Sequence, residues 1–511
     1  MSTVAAPHEA STGPNAAVQQ LTGRRQRKFT RLLMVILLGA LGLRVGYVAF
    51  AKKGPCNIVA EGRVISSYRS ECTGESAERP NDQLYYNVMA NQIADGRGFV
   101  GAFGDHPEVA DHPPMTSVVL ASVSWLFDRE PLVRFADETR LSNGVVSHTF
   151  VREQRYLMAL IGTLNVLLIG LLGRRLGGDS AGLVAALFAA LYPNLWVNDG
   201  LLFAETIAIT TVIGSMLCAL RCAKASGSGN YLLLGATIAL AALTRAELLL
   251  LAPLLVIPLA ARRRDGFVKA TTRVTAAAVG CIVVMSPWFI YNQGRFEHFV
   301  MNSTNDGLAL AGSYCDPVFY GDSIGLWATE DGCSYTPERE ASIGDQSEVS
   351  TAYRAKAFEY FKNHKSRFPI VVAARVGRTF SLYAPRAMIS YNKGENREPF
   401  VAWPGLIAYY LLLAPALIGV GALIRCRERL NAWILATPVI TVTAVSVVTY
   451  GQTRFRATAE PSLVVCAALG IVWCADGVRR RRSVRNRAAQ ERSDTADELQ
   501  VSPSAPQLGE V

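Results

Sequence analysis

The stretch Gly104-Asp105-His106-Pro107-Glu108-Val109-Ala110-Asp111-His112-Pro113-Pro114-Met115 sets three carboxylates and two imidazoles within eight residues, stiffened by three prolines. Such a set could hold a divalent cation, with Asp105 and Asp111 as ligands. A polar turn leading into the apolar segment 115–127 is the plainer alternative. A cation site here needs a carboxylate from elsewhere, and Asp82 is the candidate. Asp82 opens the run Asn81-Asp82-Gln83-Leu84-Tyr85-Tyr86-Asn87-Val88-Met89-Ala90-Asn91-Gln92-Ile93-Ala94-Asp95-Gly96. Pro80 and Asp82 are start signals, Gly96 is a stop signal, and Tyr85, Tyr86, Met89 and Ile93 recur at helical spacing. The pattern predicts a short amphipathic helix lying at the outer membrane surface. An N-cap role for Asp82, its carboxylate accepting backbone N–H bonds, stays open beside a chemical one.

Four arginines interrupt apolar sequence. Arg44 lies inside the run 32–51, Arg245 in Thr244-Arg245-Ala246-Glu247, and Arg454 and Arg456 in Gly451-Gln452-Thr453-Arg454-Phe455-Arg456. A cation in or near hydrocarbon costs several kcal/mol unless it is paired or faces water. Snorkelling to headgroups accounts for any one of them. Four at a common level suit a shared anionic ligand, because arginine grips phosphate with paired N–H donors. Glu205, in Phe203-Ala204-Glu205-Thr206, is a carboxylate that could pair with one of them, or simply open a helix.

The elements that must position these residues are membrane spans. Of 511 residues 50% are hydrophobic and 18% charged, and the mean hydropathy is +0.22. Soluble domains carry about 25% charged residues, so the composition points away from an ordinary water-soluble enzyme. Segments near 32–51, 157–173, 180–196, 200–220, 231–244, 248–261, 272–290, 403–424, 431–450 and 461–478 approach the roughly 20 apolar residues that a span needs. The fold class is therefore an all-α polytopic membrane protein of about ten transmembrane helices. The net charge of +10 must be read by position, not as a nucleic-acid signal. Arg24 to Arg31, Arg174 and Arg175, Arg221 and Lys224, Arg262 to Arg264, Arg425 to Arg429 and Arg479 to Arg482 all fall on one side of such a chain. That side is the cytoplasm by the positive-inside rule. Both termini are then cytoplasmic, and the loops 52–156 and 291–402 are external. The first apolar run is too long for a cleaved signal and lacks a cleavage site.

Within 231–261, Thr244 to Glu247 interrupt the apolar stretch. A hairpin of two short helices keeps every basic cluster inside, whereas one span would invert all that follows. Each arm would measure about 21 Å at 1.5 Å per residue, short of a hydrocarbon core of about 30 Å, so Arg245 should sit sunk below the outer surface. Of ten cysteines, Cys56 and Cys72 fall in the first loop and Cys315 and Cys333 in the second, each a pair at short spacing that suits a local disulfide. The chain divides into a disordered basic tail at 1–31, a transmembrane domain at 32–478 and a disordered tail at 479–511.

Taken in order, these positions resemble the polyprenyl-phosphate-sugar-dependent membrane glycosyltransferases of the GT-C fold, the group that includes protein O-mannosyltransferases and the bacterial aminoarabinose transferases. The resemblance spans about 32–478. It rests on Asp82, Tyr85 and Tyr86 followed by Gly96 and Gly98; on His112-Pro113-Pro114-Met115; and on Glu205 and Leu243-Thr244-Arg245. Pro287-Trp288 with Asn292, then Arg454-Phe455-Arg456 with Glu460-Pro461, complete the series. Two departures stand out: Asp82 is followed by Gln83 where protein mannosyltransferases show Asp-Glu, and His112 replaces the lysine that aminoarabinose enzymes often carry before Pro-Pro.

The resemblance implies an inverting transfer of a hexose or pentose from a polyprenyl-phosphate donor to a hydroxyl on a glycan, lipid or protein of the envelope. It makes Asp82 the general base, and Arg44, Arg245, Arg454 and Arg456 the donor-phosphate ligands. Tyr85, Tyr86, His112 and Glu205 become substrate contacts, and a divalent cation near Asp105 and Asp111 an optional aid. An outward-facing site is out of reach of cytosolic nucleotide sugars, and no glycine-rich phosphate loop occurs on a cytoplasmic segment. The implied partners are the lipid-linked sugar, membrane lipids and the acceptor, with no nucleic acid. A transporter or flippase of lipid-linked sugars is the rival; transporters often show internal repeats and Gly/Pro-broken helices at the midplane, whereas this sequence shows no internal repeat and gathers its polar residues at the outer surface.

Overall fold

Each of the ten apolar segments forms helix in the computed structural model, which describes residues 14–52, 56–60, 63–67, 82–101, 108–127, 151–262, 265–329 and 332–500. The chain enters through α1 (Pro14–Phe50), and the first loop carries a hairpin of β1 (Cys56–Ala60) and β2 (Arg63–Ser67), then α2 (Asp82–Ala94) and α3 (Met115–Phe127). Two expected spans lie within α4 (Val151–Leu191), broken at Gly177 and Gly178, where Gly178 has φ +78°. A side chain would strain that backbone, so glycine permits the chain to turn back there. After α5 (Pro193–Trp196) and a 3-10 turn at Val197–Gly200 come α6 (Glu205–Lys224), α7 (Ser228–Ala242), a second 3-10 turn at Ala246–Leu250, α8 (Leu251–Arg262) and α9 (Phe267–Asn292). The second loop holds α10 (Asp306–Ala311), α11 (Asp316–Phe319), α12 (Pro337–Ile343), α13 (Gln346–Asn363), α14 (Phe368–Thr379) and α15 (Pro385–Lys393). The chain ends with α16 (Pro399–Arg425), α17 (Arg429–Val448), a 3-10 turn at Thr453–Thr458 and α18 (Glu460–Gln500). Seven helices among the described residues are long and apolar enough to cross a membrane, which makes this a multi-pass membrane protein.

Small residues set the helix packing, as expected where lipid removes the hydrophobic drive between spans. Ala181, Ala185, Ala186 and Ala189 of α4 are buried in the main core with Val212 and Ile213 of α6. At Gly235 of α7 an added Cβ would lie 1.8 Å from the Ala277 carbonyl oxygen of α9, so the two backbones meet directly. The hairpin prediction for 231–261 corresponds to α7 and α8, of 15 and 12 residues. Within the tails read as disordered from their Ala, Ser, Pro, Gln and Glu, residues 14–31 and 479–500 are helical. Ala, Gln, Arg and Glu there are strong helix formers.

Helix α2 does not present the exposed polar face expected of an amphipathic surface helix. Residues 83 and 85–92 of α2 are buried, and the polar face expected to meet water is instead joined to its neighbours. Asn87 donates to Gln154 of α4 at 2.8 Å, Gln154 to Ser124 of α3 at 3.0 Å, and Ser124 to Asn91 at 2.7 Å. The backbone N–H of Met115 donates to the Leu243 carbonyl at 3.0 Å, and that of Thr304 to Ala110 at 2.8 Å. The first loop is thereby tied to the turn of the α7–α8 hairpin, and the second loop to the first. In the second loop Cys315 and Cys333 form a disulfide. Cys72 lies outside the described residues, as does Asp105.

Candidate active site

Asp82 stands at the first residue of α2 and keeps 31% of its side-chain exposure, although the helix behind it is buried. Its Oδ2 accepts from Arg454 Nη2 at 2.6 Å, and its Oδ1 lies 3.5 Å from His112 Nε2. Burial alone would raise the Asp82 carboxyl; the Arg454 guanidinium and then His112 outweigh it and hold the group well below the usual carboxylate range. Burial alone would lower His112, yet the facing Asp82 carboxylate raises it above its ordinary value. Burial pushes the neighbouring Asp111 upward, against the pull of His112.

His112 is held from three sides. The Tyr86 ring stacks on it with centroids 5.3 Å apart, the Tyr85 ring meets it edge-on at 4.8 Å, and Asn305 Nδ2 lies 3.4 Å from Nδ1. Both tyrosine rings are fully buried. They pack against the imidazole.

Glu205 is completely buried and joins two arginines through one oxygen: Oε1 accepts from Arg245 Nη1 at 2.8 Å and from Arg454 Nε. Arg454 Nη1 reaches Glu395 at 3.3 Å, and its guanidinium lies 4.1 Å from the Phe203 ring centroid. Arg245 also donates to Glu247 at 2.6 Å. Asp82, His112, Glu205, Arg245 and Arg454 thus form one contiguous charged cluster.

Arg44 and Arg456 do not join that cluster. Arg44 donates to Asp199 at 2.7 Å and contacts the Ala189 and Ala190 carbonyls at 3.3 and 3.4 Å, with 1% of its side chain exposed. It ties α1 to α4 and the turn after α5. Arg456 donates to Glu460 at 2.6 Å and lies 3.6 Å from the Tyr409 ring centroid. The four arginines do not stand together around one point: each pairs with a carboxylate of its own chain. Beside Glu205, which the sequence marked, Asp199, Glu247, Glu395 and Glu460 supply these carboxylates. Glu460 carried a signal, four residues beyond Arg456 on one helical face. Arg397 was also missed. It is 8% exposed and donates to Asn198 at 2.8 Å, with its Nε 4.0 Å from Glu395 Oε2.

Among the described residues no three His, Cys, Asp or Glu side chains converge as metal ligands. The oxygens of Asp82 face Arg454 and His112, and the guanidinium fills the position a cation would take against this carboxylate. Among the described residues the donor set near Asp82 does not fit a divalent ion, and Asp105 lies outside them.

A family model described as dolichyl-phosphate-mannose-protein mannosyltransferase matches residues 147–291. No curated protein matches the chain. Among solved structures, the oligosaccharyltransferase AglB of Archaeoglobus fulgidus, in complex with an inhibitory peptide and a dolichol-phosphate, superposes with a TM-score of 0.51 at 14% identity. That match covers 90% of this chain and 52% of the archaeal one, so the chain spans about half the length of that enzyme. ArnT of Cupriavidus metallidurans bound to undecaprenyl phosphate is similar at 13% identity and a TM-score of 0.36, over 91% of this chain and 78% of the other. The helical architecture and the match to AglB identify the GT-C membrane fold.

Proposed function

Starting from a GT-C membrane fold, we propose that this chain is a glycosyltransferase that moves a sugar from a polyprenyl-phosphate donor to an acceptor hydroxyl of the cell envelope, on the external face of the membrane, with both termini in the cytoplasm. The observation that carries this reading is the contact of Asp82 with Arg454. A partly exposed carboxylate from the first external loop meets a guanidinium from the turn between the last two spans. A base for the incoming oxygen and a cation for the departing one are adjacent.

In this reading the acceptor O–H donates to Asp82, and its oxygen forms a bond to the anomeric carbon as the bond from that carbon to the phosphate oxygen breaks. The proton ends on Asp82 and the electron pair on the polyprenyl phosphate, a leaving group that needs charge stabilisation but no acid. Displacement from one face inverts the anomeric centre. Arg454, backed by Glu205 and Arg245, supplies the positive charge. A carboxylate held low by Arg454 is ionised but weakly basic, so the guanidinium must turn from Asp82 towards the phosphate as the donor enters, restoring the basicity of Asp82. His112, fixed by Tyr85 and Tyr86, keeps the carboxylate oriented. No step is routed through a metal.

The test is to incubate the purified protein with radiolabelled polyprenyl-phosphate sugars and an envelope extract. Label moving to an acceptor with release of polyprenyl phosphate is the expected outcome. Donor that crosses the bilayer of a proteoliposome with its sugar–phosphate bond intact would establish the flippase instead.

A further inference from the structure

Helix α14 carries two arginines about one turn apart, Arg375 and Arg378, that none of the sequence motifs marks. Their side chains are buried, at 0% and 1% exposure. Among the described residues their partners are backbone carbonyls, a hydroxyl and a thioether, not carboxylates. A buried cation is costly unless its charge is met, so these carbonyls stand in for an acid. At Arg375 they are of a particular kind. Nη1 donates to the Val447 carbonyl at 3.0 Å and lies 3.4 Å from that of Val448, the last two residues of α17. The final carbonyls of a helix have no partner within it and form the negative end of its dipole. A guanidinium placed there satisfies them and meets the opposite partial charge.

The contact is braced from behind. Arg375 Nη2 donates to the Ser313 carbonyl at 2.5 Å, and the guanidinium lies 4.7 Å from the Tyr314 ring centroid. The Tyr314 hydroxyl donates to the same Val448 carbonyl at 2.8 Å, and the next residue, Cys315, belongs to the disulfide. Beyond Val448 comes the turn that carries Arg454. Its Gly451 N–H donates to the Gly325 carbonyl at 2.7 Å. A Cβ on Gly451 would lie 2.1 Å from the Arg375 carbonyl oxygen, so the turn rests on the backbone of α14 with no room for a side chain. Arg378 secures the approach to Gly325, with Nε donating to the Ile324 carbonyl at 2.6 Å and Nη2 to that of Asp322 at 3.0 Å. At the far end of the turn, Asn392 of α15 donates to Thr453 Oγ1 at 2.7 Å. Arg454 is the next residue.

We propose that Arg375 is a positioning residue for Arg454: by closing the end of α17 it fixes the turn from which the Arg454 guanidinium meets Asp82. The proposal rests on the transferase reading above and adds that the second loop sets the reach of the cation that receives the departing phosphate. Only a short turn separates Val448 from Arg454, so any movement of the helix end passes on to the guanidinium. A misplacement of about 1 Å, caused by a change remote from the chemistry, can cost about a hundredfold in rate.

The experiment compares the full-length wild type with Arg375→Met, Arg375→Lys and Gly451→Ala in nanodiscs, by hydrogen exchange and by transfer of label from a polyprenyl-phosphate sugar. In Arg375→Met the amides of 449–458 should exchange about tenfold faster or more, while those within the membrane part of α18 hold. Gly451→Ala disturbs the same contact from the turn side and carries the test if Arg375→Met does not insert. In both, kcat should fall about tenfold or more with the acceptor KM unchanged, and Arg375→Lys, which keeps the charge, should recover part of the loss. Added to Arg454→Lys, either variant should cost less than about twofold further, because a residue that acts through Arg454 then has nothing left to position. Wild-type exchange in Arg375→Met and Gly451→Ala overturns the clamp. Faster exchange with undiminished kcat, or losses that multiply in the double variant, overturns the positioning role. A wild type that transfers no label, with exchange still faster in the variants, sinks the transferase reading and leaves the clamp standing.

Discussion

Arg454 donates to Asp82 at 2.6 Å across a gap of more than 370 residues, so the first long loop and the last pair of spans meet in one ion pair. Asp82→Asn preserves the shape and leaves Arg454 a carbonyl to bond, but removes the proton acceptor. Sugar transfer should fall by about 10²–10⁴-fold, the usual contribution of a positioned base. Membrane insertion and thermal stability should stay near wild type. Label transfer at more than a tenth of the wild-type rate would refute the assignment.

Glu205 is the shared counter-ion of two arginines and is itself fully buried. Replacing it with Gln keeps the volume and leaves two guanidiniums without their common anion. Breaking a buried pair from one side typically costs about 3–5 kcal/mol. The variant should melt well below wild type in detergent, with Arg245→Gln in the same background recovering part of the loss. An unchanged melting curve for Glu205→Gln would show that Arg454 is satisfied by Asp82 and Glu395 alone.

The spans were legible because hydropathy alone decides which segments can enter lipid, and every apolar run corresponds to a helix. Glu205, Arg245 and Arg454 stood out for the same reason, as polar residues where the apolar pattern breaks, and Asp82 as the start residue of a short helical run. Arg397 and Glu395 did not. They sit in Asn392-Lys393-Gly394-Glu395-Asn396-Arg397-Glu398, where charge is ordinary and only burial marks two members as different. Arg44 and Arg456 were grouped with the others because sequence records depth along a span but not rotation about it. Their own acids, Asp199 and Glu460, took them elsewhere.

His112 has its pKa raised in the folded state by Asp82. Its imidazolium therefore adds stability that is complete below the unfolded value, about 6.5, and is lost as pH rises through the higher folded value. Melting temperature should decline from mildly acidic towards alkaline pH, and His112→Asn should flatten that slope. A slope of the same size in the variant would assign the titration to another group.

The Cys315–Cys333 bridge closes a segment with a sequence separation of 18, and both cysteines are buried. A loop of this length is constrained by about 3 kcal/mol on the chain-entropy account. Cys315→Ser with Cys333→Ser should make the second loop more susceptible to protease than the spans. Mild reductant should leave the folded bridge intact and cleave it only after denaturation. Rapid reduction in the native protein would contradict its burial.

The α7–α8 hairpin has a final consequence for the surrounding lipid. A helix of 15 residues rises about 22 Å at 1.5 Å per residue, several ångströms short of an ordinary hydrocarbon layer, and mismatch of this kind thins the adjacent leaflets. In the donor reading proposed above, the polar end of an isoprenoid phosphate beside such a dimple would sit closer to the bilayer centre than its neighbours and would not need to rise out of its own leaflet to meet the enzyme. Reconstitution in short-acyl phosphatidylcholine should then favour turnover, and thick, sterol-like membranes should suppress it with no residue changed.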